Sequence, residues 1–327
     1  MKSRDFVLVG AVVVVASFAA ADAFRGGGDE AATTEARATT AAARTDIEPP
    51  TAFEPLPLAG SIVFTDAGDC RVRRITMASG TETPLPFLAG DCTLWAAPSG
   101  SAVAYGLGYD PPDAQLFRLV ELRRPDRALG SHSALFGFVA WSLDGRRVAW
   151  CNAERLGADL ELGRAVRRLP ECPSAYAPSG EIAFVRGSRI LVGGESVLRA
   201  DGGITYARWG RDGSLAVVLD GKRIERRVNG RLAGELDLPR WLEGSLPILS
   251  PDNCAAIFRR PTRLDLFNLG CFQGDAPRAF FDDDAAWSPD GDWIAVAEKD
   301  AIAFHRLVGP REVFRWPARA SRLAWQP

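Results

Sequence analysis

The stretch AAWSPDGDWIAVAEKD, from Ala285 to Asp300, decides the fold. An apolar run that ends in Trp287 meets a Ser-Pro-Asp-Gly turn, and a short run of alternating apolar residues follows it. Proline fixes its own φ and glycine adopts backbone angles that other residues resist, so this combination favours a tight turn. The stretch therefore predicts two short β-strands joined by a turn.

Similar phrases recur along the chain at intervals of 33 to 45 residues. They are AAPSG from Ala96, WSLDG from Trp141, YAPSG from Tyr176, WGRDG from Trp209, LSPDN from Leu249, WSPDG from Trp287 and WQP from Trp325. A period near 40 with short strands is typical of propeller blades. Two weaker strands follow each strong pair, as in KRIERRV (222–228) and RLAGEL (231–236) of the fifth repeat. A four-stranded blade cannot cover its own faces, so the blades are expected to stack around an axis.

The two ends of the repeat region complement each other. GSIVFTDAG (60–68) has the pattern of a second strand with no first strand before it, and SRLAWQP (321–327) has the pattern of a first strand alone. We expect them to pair in one shared blade, because this closure removes the free sheet edges of the ring. Six complete repeats and one shared blade predict an all-β, seven-bladed propeller over residues 58–327.

The phrases of the type WSPDGxxIAF resemble the WD40-like repeats of TolB-like β-propellers. The resemblance covers the whole of residues 58–327, although LSPDN lacks the tryptophan and the glycine, and AAPSG lacks the aspartate. It implies a ring of four-stranded antiparallel blades. Domains of this kind often have six blades, so a six-bladed ring is the alternative. Repeats of this type occur in unrelated proteins, so the resemblance implies a fold and not a function.

The six cysteines predict three disulfides once the blades are placed. Cys70 and Cys151 follow second strands, and Cys92 and Cys172 precede the first strands of the next blades. These two types of loop meet on the same face of a propeller, which predicts the pairs 70–92 and 151–172. Cys254 and Cys271 flank the RRPT turn of one blade, which predicts the third pair. Buried free thiols are the alternative, whereas the sequence has no CxxC pair of the kind that binds zinc.

The N-terminal residues predict an export signal. Lys2 and Arg4 precede an uninterrupted apolar run of 16 residues, from Phe6 to Ala21. Residues 1–24 fit either an uncleaved single-pass anchor or a signal peptide that is cleaved at the ADA of 21–23. Residues 25–57 are rich in Ala, Thr and Pro and predict a disordered linker. The expected location is the outer side of the cytoplasmic membrane, with secretion as the alternative.

Composition excludes some classes of partner. The chain has 327 residues, 47% of them apolar, and a net charge of −2, without a basic stripe of the kind that binds nucleic acid. It has two histidines, His132 and His305, and no G-x-S-x-G elbow, so neither a histidine-rich metal site nor a serine hydrolase is expected. No cofactor is expected.

The candidate binding residues lie in loops and strand ends around the predicted funnel. The acidic run Asp282, Asp283, Asp284 precedes a first strand, and its carboxylates could attract a cation; Asp282 and Asp284 are weak Ca²⁺ candidates. The other candidates are Tyr109, Asp110, Glu154, Arg155 and Tyr206. The repeated Asp144, Asp212, Asp252 and Asp290 are instead expected to form hydrogen bonds within their turns.

These observations favour a non-enzymatic binding module, monomeric and tethered at a bacterial cell envelope, that contacts a protein partner through its rim and funnel. The alternative is an enzyme of a propeller class, acting on a lactone or a glycan or as a lyase, with a metal in the funnel. A sensor domain whose partner lies in the same membrane is a third hypothesis.

Overall fold

The computed structural model describes residues 51–110, 114–122, 128–135, 139–151, 156–162, 164–260, 263–271, 278–280, 284–307 and 313–327. These residues form 29 strands and two 3₁₀ turns, and the strands are arranged in seven sheets. Every pair of hydrogen-bonded strands is antiparallel. The predicted seven-bladed propeller is confirmed.

The chain enters the ring in blade 1, to which it contributes β1 (Thr51–Ala52), β2 (Ser61–Asp66), β3 (Arg71–Thr76) and β4 (Thr81–Leu88), with a 3₁₀ turn at Met77–Ser79. From the outer edge inward, these four strands lie in the order β1, β4, β3, β2. Blade 2 contains β5 (Leu94–Ala96), β6 (Ala102–Asp110), β7 (Ala114–Glu121) and β8 (Ala128–Leu135). Blade 3 contains β9 (Val139–Trp141), β10 (Arg147–Cys151), β11 (Gly157–Glu161) and β12 (Arg167–Leu169). Blade 4 contains β13 (Ala175–Tyr176), β14 (Ile182–Arg186), β15 (Arg189–Val192) and β16 (Glu195–Arg199).

The next three blades follow the same order from the axis outward. Blade 5 contains β17 (Ile204–Trp209), β18 (Leu215–Leu219), β19 (Arg223–Val228) and β20 (Arg231–Asp237), and a 3₁₀ turn at Arg240–Leu242 follows it. Blade 6 contains β21 (Ile248–Leu249), β22 (Ala255–Arg260), β23 (Arg263–Asn268) and β24 (Arg278–Phe280). Blade 7 contains β25 (Ala285–Trp287), β26 (Trp293–Ala297), β27 (Ile302–Arg306) and β28 (Val313–Trp316). The last strand, β29 (Ala320–Gln326), is the innermost strand of blade 1.

The ring closes between the two ends of the described chain, as the sequence predicts. Strand β29 pairs with β2, and Ile62 lies opposite Trp325. The end of the expected linker also joins this blade: β1 pairs with β4, and the main-chain N–H of Phe53 donates to the carbonyl of Gly80 at 2.6 Å. Blade 1 therefore has five strands, and β1 is the outermost of them.

The propeller has two faces, which we name by their connections. The turns between the first and second strands of each blade form the turn face, and the loops between blades form the loop face together with the turns between second and third strands.

On the turn face, each repeated aspartate accepts a hydrogen bond from a serine of its own turn, such as Ser142 to Asp144 at 2.6 Å. Asp212, Asp252 and Asp290 do the same. The predicted turn role of these aspartates is confirmed.

The hydrophobic core of the described residues consists of seven clusters, one at each seam between neighbouring blades. The seam between blades 7 and 1 is among the largest and contains Phe64, Phe304, Trp316 and Trp325. The seam between blades 3 and 4 is the smallest, with four buried members, which are Ala149, Leu169, Tyr176 and Ile182. The blades are thus joined by apolar burial of unequal extent.

All three predicted disulfides are present. Cys70–Cys92 joins blade 1 to the loop before blade 2, and Cys151–Cys172 joins blade 3 to the loop before blade 4, both on the loop face. Cys254–Cys271 lies within blade 6 on the turn face, with a Cα–Cα distance of 5.3 Å. Disulfides persist in oxidising compartments and are rare in reducing ones.

The predicted N-terminal helix or signal peptide (1–24) and most of the predicted linker (25–57) lie outside the described residues. No helix that is long and apolar enough to span a bilayer occurs in the part of the chain that the structure describes.

Candidate functional site

A cavity of about 400 Å³ follows the axis of the ring. Its wall is built mainly from the first strands of the blades, whose side chains alternate between the two seams that flank each blade, as Ala286 and Trp287 do. The aromatic side chains that face it are Trp95, Trp141, Tyr206, Trp287 and Trp325. Trp141, Trp287 and Trp325, the tryptophans of three of the repeated phrases, therefore line the channel, and each also packs in a seam between blades.

The indole N–H groups of two of these tryptophans donate to main-chain carbonyls, one of them across a seam. The indole N–H of Trp287 donates to the carbonyl of Ile248 at 3.0 Å, and that of Trp325 donates to the carbonyl of Ala59 at 3.1 Å. The indole N–H of Trp141 is buried and has no hydrogen-bond acceptor among the described residues. Trp141 itself forms part of the channel wall in blade 3.

Two arginines of blade 5 stand at the turn-face end of the channel. Arg208 lies on β17 two residues after Tyr206, and its guanidinium donates to the carbonyls of Leu249 at 2.5 Å and Ser250 at 3.2 Å. Desolvation lowers the pKa of Arg208, and the positive charge of Arg211 lowers it further, against the opposing effects of Tyr206 and Asp252. Its positive charge is thus held in a poorly solvated wall.

Arg211 crosses the opening on the turn face. Its main-chain N–H donates to the carbonyl of Pro251 in blade 6 at 2.8 Å. Its guanidinium donates to the carbonyl of Pro289 in blade 7 at 2.8 Å and to that of Pro98 in blade 2 at 3.0 Å. Blades 5 and 2 lie on opposite sides of the ring, so this side chain is a strut across the end of the channel.

At the other end of the channel, Asp284 is fully buried and paired with Arg259. Its second carboxylate oxygen accepts the main-chain N–H of Leu323 in β29 at 2.8 Å. Burial raises the pKa of Asp284, and the charges of Arg259 and Arg322 oppose this shift. The carboxylate therefore links blades 6, 7 and 1, and its contacts replace the exposed position expected for a Ca²⁺ ligand.

The structure describes only part of the predicted set of binding residues. Tyr206 faces the channel, and its pKa is raised by burial. Tyr109 and Asp110 end strand β6, whose side chains at those positions are not described. Glu154, Arg155, Asp282 and Asp283 lie outside the described residues. Their proposed binding role stays a prediction.

The two histidines lie away from the axis. His132 packs between the rings of Phe117 and Trp150, with ring centroids 5.6 Å and 4.7 Å away, and burial lowers its pKa. His305 lies on β27, the third strand of blade 7. No group of three metal-binding side chains occurs among the residues described.

Arg208 and Arg211 were not among the predicted binding residues, although one position of the repeated turns distinguishes Arg211. The third residue of the repeated phrase is proline in five cases, at 98, 178, 251, 289 and 327, and leucine in WSLDG. In WGRDG it is Arg211. A long cation in place of proline at a position that faces the axis marks this turn as different from the others.

Comparisons with known proteins give structural neighbours only. No model of a known protein family matches the chain, and no curated protein matches it. The Cps50 (Swd1) β-propeller domain of Myceliophteria thermophila is 13% identical with a TM-score of 0.46, over 72% of this chain and 89% of that one. Hydrazine synthase of Kuenenia stuttgartiensis is 13% identical with a TM-score of 0.44, over 71% and 88%.

TolB from Acinetobacter baumannii is 15% identical with a TM-score of 0.47, over 82% of this chain and 67% of that one. The fold assignment rests on the strand pairing described above, and not on these similarities. By that pairing the chain is a seven-bladed β-propeller, and its structural neighbours include TolB and the Swd1 propeller domain.

Proposed function

We propose that this propeller is a non-enzymatic binding module that acts outside the cytoplasm and engages a protein partner at the loop face and in the channel. The observation that carries the proposal is the axial cavity of about 400 Å³, whose wall combines tryptophan, tyrosine and arginine side chains. Binding sites are commonly concave and apolar, with a few placed polar groups. Tryptophan, tyrosine and arginine are also the residue types that contribute most to protein interfaces.

A second observation supports contact on the loop face. Trp241 lies in the loop between blades 5 and 6 and is 50% exposed, and Leu246 in the same loop is 56% exposed. The guanidinium of Arg260 stacks over the Trp241 ring at 4.3 Å from its centroid. A stacked arginine holds the indole in place while leaving it available to a partner.

Localisation outside the cytoplasm is supported by two features. The three disulfides fit an oxidising compartment. The basic residues Lys2 and Arg4, followed by the apolar run 6–21, fit an export signal or a membrane anchor at a cell envelope. The proposal includes a monomeric propeller on a single N-terminal anchor, without a cofactor.

Site-specific photocrosslinking tests the proposal. A photoreactive amino acid replaces Leu246 on the loop face or Val197 on the outer edge of blade 4, which is 49% exposed. In the native host we expect a discrete protein adduct at Leu246 and none at Val197. Equal adducts at both positions, or an adduct at neither, would contradict the proposal.

A matched pair of substitutions then tests the surface itself. Trp241→Ala is expected to reduce the yield of the adduct at position 246 at least about tenfold, the effect of a residue worth some 1.4 kcal/mol or more. Leu232→Ala, at a side chain with almost the same exposure of 49%, is the control and is expected to leave the yield unchanged. A similar loss in both variants would show that the adduct does not report this surface.

A further inference from the structure

We infer that the turn-face end of the channel is a carboxylate-binding pocket, formed by Trp141, Tyr206, Arg208 and Arg211, which takes the C-terminal carboxylate of a peptide segment. The inference rests on the proposed function for the source of the peptide, but the pocket itself is argued from its own geometry. A cavity of about 210 Å³ opens between blades 3, 4 and 5 and is lined by these four residues.

The guanidinium groups of Arg208 and Arg211 bring two positive charges to the pocket. All four of their described hydrogen bonds go to main-chain carbonyls, at Leu249, Ser250, Pro289 and Pro98. No described carboxylate lies within ion-pair distance of either group. The carboxylate whose charge reaches Arg208, that of Asp252, is engaged in its own turn by Ser250 and by the N–H of Cys254. Two neighbouring cations without an ion-pair partner favour an anion.

The pocket also contains side-chain hydrogen-bond donors that have no acceptor among the described residues. The buried indole N–H of Trp141 has no acceptor among the described residues, unlike those of Trp287 and Trp325. A buried donor without an acceptor costs free energy, and a bound anion would supply the acceptor. Tyr206 lines the same pocket, and its hydroxyl has no hydrogen-bond partner in the described part of the chain. The pocket therefore offers neutral donors beside the two cations.

The composition of the pocket favours a carboxylate over an inorganic anion. Arginine binds a carboxylate through two parallel N–H donors, and this charge-assisted bond is strong where water is scarce. The remaining wall is largely apolar, with Val139, Leu143 and Ala175 beside the rings of Trp209 and Tyr176. A carboxylate attached to an apolar side chain matches such a wall better than a fully hydrated inorganic ion does.

The turn-face end of the channel favours the end of a peptide chain over an internal segment. The Arg211 strut joins blades 2, 5 and 7 across the turn-face opening. A segment that enters the channel from the loop face meets this strut and the positive charge of Arg208 beside it. A channel that a side chain crosses at one end accepts a chain terminus more readily than a segment that must pass through it. These features select a terminal carboxylate.

Affinity selection on the full chain tests the inference. The probe is a pool of random hexapeptides with free C-terminal carboxylates, compared with the same pool as C-terminal amides. We expect the wild-type chain to retain at least about ten times more of the free-acid pool, the effect of one charge-assisted interaction. Arg208→Gln and Arg211→Gln are expected to abolish the difference, and Arg189→Gln, at an exposed arginine of blade 4, is expected to preserve it. Equal retention of the two pools would overturn the inference, and so would an unchanged preference in Arg208→Gln.

A second variant covers the case in which loss of Arg208 prevents folding. Trp141→Phe keeps an aromatic ring in the wall but replaces the indole and so removes its N–H, and it is expected to reduce the free-acid preference while thermal unfolding stays close to that of the wild type. A full preference in a folded Trp141→Phe variant would remove this donor from the pocket and contradict the inference.

The final arm separates a peptide from a small free acid. Sodium acetate is titrated against sodium chloride at equal ionic strength, and the resonance of the Trp141 indole N–H is followed. A shift by acetate without retention of peptides would assign the pocket to small acids and overturn the peptide source. If the photocrosslinking at Leu246 finds no partner but the free-acid preference holds, the proposed function fails and the pocket stands. If a partner is crosslinked at Leu246 but the free-acid preference is absent, the pocket fails and the proposed function stands.

Discussion

The carboxylate of Asp159 links blade 3 to blade 4 across the seam between them. The residue is 4% exposed, and one carboxylate oxygen accepts from Arg147 at 2.6 Å and from Arg167 at 2.8 Å. The other oxygen accepts from the hydroxyl of Tyr176 at 2.5 Å. Arg147 also stacks over the Tyr176 ring, 5.2 Å from its centroid, and donates to the carbonyl of Gly180 at 2.6 Å. A single carboxylate thus connects three strands of blade 3 with the first strand of blade 4.

The substitution Asp159→Asn tests this role. Removing one partner of a buried ion pair leaves the other charge uncompensated, so we expect the free energy of unfolding to fall by about 3 kcal/mol in urea titrations at neutral pH. Glu171→Gln is the matched control, because its pair with Arg186 is largely exposed to solvent and is expected to contribute much less to stability. Equal effects of the two substitutions would contradict the assignment.

The same carboxylate predicts a dependence of stability on pH. Burial raises the pKa of Asp159, but hydrogen bonds from Arg147 and Tyr176 and the charges of Arg147 and Arg167 outweigh it, so the pKa in the folded chain lies below its ordinary value. A lowered pKa contributes stability above the unfolded value of about 4, and this contribution is lost as the pH falls through the folded pKa. We expect the difference in unfolding free energy between wild type and Asp159→Asn to be complete near neutral pH and to shrink below about pH 4. A difference that stays constant down to the lowest pH at which both proteins fold would be inconsistent with this account.

Individual residues also show where sequence reasoning stops. The turn hydrogen bonds of Asp144 and Asp290 could be predicted, because both partners lie within five residues of each other. The burial of Asp284 could not, because its partners Arg259 and Leu323 lie 25 and 39 residues away. A run of three acidic residues in a sequence indicates a solvated loop, and only the packed ring shows that one of them is internal.

At the scale of elements, the seams differ in how they are held. The smallest hydrophobic cluster lies between blades 3 and 4, and the same seam contains the Asp159 network and the disulfide Cys151–Cys172. Blade 4 also has a short first strand, Ala175–Tyr176, so it offers little apolar area for burial. Polar and covalent links at this seam compensate for the limited hydrophobic contact.

Two disulfide removals distinguish this role from a general effect on stability. Each bridge closes a loop of similar length, with sequence separations of 21 and 17, so loss of either is expected to cost about 3 kcal/mol. In Cys151→Ser/Cys172→Ser we expect faster amide hydrogen exchange in β13 and β14 than elsewhere, since the seam loses one of its few links. In Cys254→Ser/Cys271→Ser the faster exchange is expected to stay within blade 6. Uniform acceleration in both variants would show that the seams are equally strong.

The elements also divide into those that the sequence predicts and those that it does not. The second strands could be placed from their apolar runs, such as WIAVA at Trp293–Ala297, because each follows a turn with a definite signature. Strand β1 could not, because Thr51–Ala52 lies in a proline-rich stretch without alternation. It is ordered through long-range contacts, including that of Phe53 with Trp316 at 4.7 Å between ring centroids.

At the scale of the whole molecule, stability depends on the closure of the ring. Trp325 in β29 is 8% exposed, packs edge-on against Phe304 at 5.3 Å and donates to the carbonyl of Ala59. It therefore joins blade 7, the innermost strand of blade 1 and the residues before β2. The closure could be predicted from the two half-repeats, whereas the charge of the channel could not, because it arises from side chains that meet only around the axis.

Trp325→Ala is expected to lower the free energy of unfolding by about 3 to 5 kcal/mol, the usual cost of removing a large buried aromatic side chain. Trp241→Ala, at a tryptophan that is half exposed, is expected to change it by less than about 0.5 kcal/mol. Denaturant unfolding of the two variants followed by circular dichroism gives the comparison. A small effect at Trp325 would mean that the ring holds together without its closing strand.

The pairing of β2 with β29 has a consequence for how the protein is made. Residues 61–66 and 320–326 are neighbours in space but are separated by nearly all of the described chain. A ribosome finishes the first segment long before the second, so the axial side of β2 has no hydrogen-bonding partner throughout that interval. Exposed strands of this kind recruit foreign strands. We therefore expect slower elongation of the chain to lower the yield of correctly folded protein without any change in the finished molecule.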